Sequence, residues 1–102
     1  MKVSNMTNTK GNKIANQFIV EDCTISYPCA DDTINGNMFQ SYDSNIAFIG
    51  HYSSGHPVVL LDRNTWDYSN TTGTYRNMFL GETKKETQKK IDSGEYRLVD
   101  LN

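Results

Sequence analysis

The stretch VVLLDRNTWDYSNTTGTYRNMFLGETKKETQKKIDSGEYRLVD, Val58 to Asp100, decides the fold class. It opens on a continuous apolar run, Val58 to Asp62, of the length expected for a central strand buried on both faces. Asp62 or Asn64 can then cap a short helical turn holding Trp66. Tyr75, Met78 and Phe79 follow at i, i+3 and i+4, which predicts a helix over Thr74 to Leu80. Gly81 is its stop signal. Thr83 begins T-K-K-E, where the hydroxyl can accept from the amide of Glu86 while that carboxylate reaches back to Thr83. This reciprocal capping box starts a second helix, ending at Ser93 and Gly94. Its interior offers only Ile91, with Thr87 one turn before it, so it belongs at the edge of the core. Tyr96 to Asp100 reads as a last strand, with Tyr96, Leu98 and Asp100 on one face and Arg97 and Val99 on the other.

Upstream, the period is that of strands. Residues 38–49 predict a strand bent at Asp43-Ser44-Asn45, and GHYSSGHP (50–57) a hairpin loop. In PCADDTINGN the pair Asn35-Gly36 is a turn signal, since both residues tolerate positive φ. Residues 17–27 predict one or two short strands with a bend at Glu21-Asp22, closed by Pro28. Residues 1–13 are polar and without periodicity, as in a flexible N-terminal arm. The expected architecture is a single α+β domain over 14–102. It would be a small, mostly antiparallel sheet with two short helices near the C-terminus packed on one face or end.

Composition bounds the function. A chain of 102 residues has one small core. Only 36% of its residues are hydrophobic, and the mean hydropathy is -0.64. Neutral polar residues take up the difference, with 11 Asn, 10 Thr and 8 Ser. The net charge of -2 gives no whole-surface attraction to nucleic acid or anionic lipid. Locally, residues 21–67 carry seven acids against Arg63 alone. No run of about 20 apolar residues is present for a membrane span, nor an apolar secretory core near the start. A cytoplasmic location in the host cell is therefore expected, with Cys23 and Cys29 as free thiols.

From residue 38 onward the motifs F-Q-S-Y, L-D-R-x-x-W-D-Y-S, T-T-G-x-Y-R-N-x-F-L-G and S-G-E-Y resemble a family of small proteins of phages and gut-bacterial mobile elements. The likeness covers residues 38–102. It implies a phage-type origin and carries no catalytic or ligand residues with it. The GHYSSGHP loop is longer than in that pattern.

Catalytic parts are sparse. Cys23 and Cys29 are spaced C-x5-C, and His51 and His56 H-x4-H in a loop, which does not suit paired zinc knuckles. No nucleophile elbow or phosphate-binding glycine loop occurs. The reading is therefore a non-enzyme with no metal and no cofactor. The aromatic run is divided between core and surface. Trp66, Phe79 and Leu80 are expected inside. Arg63, Tyr68, Tyr75 and Arg76 are expected as an exposed partner-binding set, extended by Asp31, Asp32 and Asp43. These features predict a non-enzymatic inhibitor that occupies the surface of a host protein or ribonucleoprotein. A nucleic-acid-handling defence complex, of the kind met by anti-CRISPR or anti-restriction proteins, is the expected target. The alternative is a nucleic-acid-binding accessory or regulator using the basic helix 84–92, through Lys84, Lys85, Lys89 and Lys90. Oligomeric state has no signal in the sequence.

Overall fold

A computed structural model describes residues 2–26 and 33–102. The expected class is found: a six-stranded sheet, mostly antiparallel, with two short helices near the C-terminus. The strands are β1 (Lys2–Thr7), β2 (Lys13–Ser26), β3 (Thr33–Ser41), β4 (Ser44–Tyr52), β5 (Pro57–Asp62) and β6 (Arg97–Val99). The helices are α1 (Asn70–Leu80) and α2 (Lys84–Asp92). Spatial order follows chain order, and among the described residues only β5 and β6 run parallel. A parallel pair needs a crossover, and the segment carrying both helices supplies it.

Local chemistry sets the helix ends. The Ser69 hydroxyl accepts from the amide of Thr72, so α1 begins earlier than Thr74. Gly81 closes α1 at φ 71°, donating its amide to the Asn77 carbonyl. The Thr83–Glu86 capping box forms in both directions. Each sheet face then buries its own apolar set. Phe39, Ile46, Ala47 and Leu61 face the helices, where Trp66, Tyr75, Phe79, Leu80 and Ile91 pack onto them. Phe39 and Phe79 meet at 5.8 Å between ring centres. Val20, Ile34, Met38, Phe48, Leu60 and Val99 form a second cluster on the other face.

Four expectations change. Residues 2–7 are an edge strand rather than a free arm, with Val3 opposite Val20 and Met6 buried. Its polar composition hid it, because an edge strand draws order from the neighbour it pairs with. The bent strand at 38–49 is a hairpin, β3 and β4, turning at Tyr42-Asp43. Asn35-Gly36 lies inside β3 rather than at a turn. Gly36 stands opposite Gly50, and a Cβ on Gly36 would fall on the Ile49 carbonyl oxygen. This glycine therefore permits close backbone approach. The bend at Glu21-Asp22 is a bulge in β2, where the register shifts between Val20 and Cys23 and Asp22 has φ 53°. Pro28 lies outside the described residues.

A groove on the uncovered sheet face as the candidate functional site

The face opposite the helices carries no covering element among the described residues, yet Phe48 and Leu60 are fully buried there. Among the described residues the sheet itself supplies the cover. In a flat sheet β1 and β6 would lie about 24 Å apart, at about 4.8 Å per strand. Here both edges line one cavity of about 390 Å³, through Val3 on one side and Val99 on the other. The sheet therefore curls around this face. The Gly36–Gly50 crossing is one place that permits it, since the Phe48 ring lies against Gly50.

The floor of the groove is Val20, Met38, Leu60 and Val99. Its walls are Val3, Cys23, Ile25 and Leu101. The polar groups are Ser26, Gln40, Asn45 and Asp100. The C-terminal residues are tied down beside Asn45. The Asn45 amide nitrogen Nδ2 donates to the Leu101 carbonyl at 2.9 Å, and Asn102 accepts from the Asn45 backbone at 2.7 Å. Buried Asp62 accepts from the Leu101 amide at 2.8 Å and from Asn64 and Thr65. Burial pushes the Asp62 carboxyl up, but these hydrogen bonds together hold it below its usual range. Asp62 thus fixes the backbone of Leu101, which lines the groove.

The volume is that of a ligand-sized site, but the groove is open along one edge, with Val3 59% exposed. Its chemistry is apolar contact with hydrogen-bonding groups at the rim. Cys23, half-buried, is its only thiol among the described residues. No group of three metal-ligating side chains occurs among the described residues. His51 and His56 are exposed on the β4–β5 hairpin, and His56 Nδ1 contacts the Ser54 hydroxyl at 3.0 Å. Cys29 lies outside the described residues.

The predicted partner-binding set is only partly brought together. Asp31 and Asp32 lie outside the described residues. Arg63 is exposed and paired with Asp100 at 2.9 Å. Tyr68 and Asp43 are exposed. All three lie at one end of the sheet, where the Thr65 hydroxyl donates to the Asn45 carbonyl and Ser41 meets Thr72 at 2.9 Å. Tyr75 and Arg76 depart from the expectation of exposure. Tyr75 is half-buried against Phe39 and its neighbours. Arg76 is 1% exposed. Its guanidinium donates to the Trp66 carbonyl and the Asn77 side chain, lies 5.3 Å from the Trp66 ring centre and 3.6 Å from Asp67. Burial lowers its affinity for the proton, and Asp67 partly restores it. An arginine with this many internal partners is a strut. Trp66, Phe79 and Leu80 pack inward as expected.

The basic helix is likewise partly consumed. Lys84 pairs with Asp67 at 2.8 Å, and Lys90 pairs with Glu82 at 3.0 Å. Lys85 and Lys89 remain exposed one turn apart. No helix is long and apolar enough to cross a membrane among the described residues. The groove residues were missed in the sequence. They come from six strands, and only alternation within each strand marks them.

Residues 1–95 match a family of unknown function, DUF8033, and the chain belongs to it. The match takes in the N-terminal strands and carries no phage or mobile-element context. No curated protein and no solved structure matches the chain.

Proposed function

We propose that this chain is a non-enzymatic binding protein that seats an apolar side chain of a partner protein in the groove between its sheet edges. The groove of about 390 Å³, uncovered among the described residues, carries this reading. A small ligand would remain wet along the open edge at Val3, whereas a protein partner covers that edge with its own surface. The finer reading is a phage-type inhibitor of a host nucleic-acid-handling defence complex. Its support is the motif resemblance and the acidic balance of residues 21–67. Of those acids, Asp62 is buried and Asp67 is spent on Lys84 and Arg76, so fewer charges face outward than the sequence suggests. The nucleic-acid alternative loses two of its four lysines to internal pairs.

The test is affinity capture from a bacterial host lysate with three baits: the native chain, Val3→Arg and Cys23→Phe. The first variant places a charge at the groove mouth, and the second fills the groove. A protein held by the native chain and released by both variants supports the groove. Equal capture by all three baits overturns it. If the captured protein has no role in handling nucleic acid, the inhibitor reading falls and the groove reading stands.

A further inference from the structure

Tyr42 is the first residue of the two-residue turn between Ser41 and Ser44, and it sits at φ 55°. That conformation suits Gly, Asn or Asp; a bulky side chain there is strained. The backbone around it is clamped. The Tyr42 amide donates to the Asn16 carbonyl at 2.7 Å, and the Gln40 side chain donates to the Tyr42 carbonyl at 3.1 Å. Asn16 is itself left-handed, at φ 63°. The fold therefore uses the backbone of residue 42 directly, while half of the residue's surface stays open to solvent at 50% exposure. Tyr42 thus places a half-exposed ring on a backbone conformation that glycine adopts more easily, the kind of local strain found at contact sites.

We infer that the hairpin tip Tyr42–Asp43 is a contact element that receives a basic side chain of a partner protein. The ring offers a face to a cation, and the adjacent exposed Asp43 carboxylate offers the opposite charge. The tip stands at the Gln40 end of the groove, so one partner can reach both. Exposed Tyr68 and Arg63 lie at this same end of the sheet, and the Arg63 charge is paired with Asp100. The inference rests on the reading of the chain as a protein-binding module, and its test separates the two sites.

The probe is a random peptide library displayed on phage and selected against the full chain. Recovered peptides are then titrated against Tyr42→Gly, Asp43→Asn and the groove variant Cys23→Phe. The expected result is peptides rich in Arg or Lys that bind both tip variants at least tenfold more weakly. In parallel, Tyr42→Gly is expected to melt at or above the temperature of the native chain. Peptides that lose binding only with Cys23→Phe overturn the tip while supporting the groove. Peptides insensitive to the tip variants overturn it too. A lower melting temperature for Tyr42→Gly would show that the ring serves the fold, and this also overturns the inference.

Discussion

Gly36 and Gly50 stand opposite each other across β3 and β4 with no room for a side chain on either. A Cβ on Gly36 would meet Ile49 and Gly50 backbone, and one on Gly50 would meet the Asn35 carbonyl oxygen and the Phe48 ring. Backbone cannot give way as a flexible side chain can. Gly36→Ala is therefore expected to lower stability by about 3 kcal/mol, at the upper end of overpacking costs. Gly73 is the contrast. It lies inside α1, and its missing Cβ would sit 3.6 Å from the Arg76 guanidinium, an ordinary contact. Gly73→Ala should raise stability by about 0.5–1 kcal/mol through helix propensity. Urea unfolding of the two variants checks both signs.

Arg76 binds the loop before α1 to the helix. Its replacement strands the Trp66 carbonyl and leaves Asp67 with Lys84 alone. Arg76→Ala should cost about 3 kcal/mol, the low end for breaking a buried ion pair, because Asp67 is only partly buried. Arg76→Lys should recover little, since an ammonium cannot donate in a fork to Trp66 and Asn77 while lying on the indole. Thermal unfolding of both variants, followed by Trp66 fluorescence, measures the difference.

Gln17 is the converse case. It is 1% exposed on the helix-facing side of β2, opposite Ser41, and neither atom of its amide has a hydrogen-bond partner among the described residues. An unpaired buried amide costs free energy that an apolar side chain of similar length does not. Gln17→Met is expected to raise stability by about 1 kcal/mol. A fall in the urea midpoint would contradict this.

The parts of the fold legible in the sequence are those set by near neighbours. Gly81 and the Thr83–Glu86 box act within one helical turn, so their chemistry can be read residue by residue. Asn35-Gly36 was opaque because the dipeptide that permits a turn also permits close strands, and only Gly50 in β4 distinguishes the two. Arg76 was opaque for the same reason, since Trp66 and Asp67 decide its burial from ten and nine positions away. The groove is further out of reach. It joins Val3 to Val99 across the whole chain, and it exists only because the sheet curls.

Glu82 ties the turn between the helices to Tyr96, beside β6, and this tie sets an acid limit on stability. Its carboxylate accepts from the Tyr96 hydroxyl, from Thr87 at 2.7 Å and from Lys90 at 3.0 Å. Burial pushes the carboxyl up, but these donors outweigh burial and hold it below its usual value of 4.5. A carboxyl that binds its proton less readily when folded stabilises the fold above that unfolded value. The contribution is lost as pH falls through the lower folded value. Tyr96 marks the other limit. Burial first, then its bond to Glu82, push the phenol up to about 12, so its part in the tie persists until alkali reaches that range. Glu82→Gln is expected to cost about 2 kcal/mol at neutral pH, the scale of hydrogen bonds to a charged group. It should also flatten the decline in stability below pH 4.5 relative to the native chain. Urea midpoints measured from pH 7 down to pH 3 test both effects, and parallel acid limbs in the two proteins would show that the tie lies elsewhere.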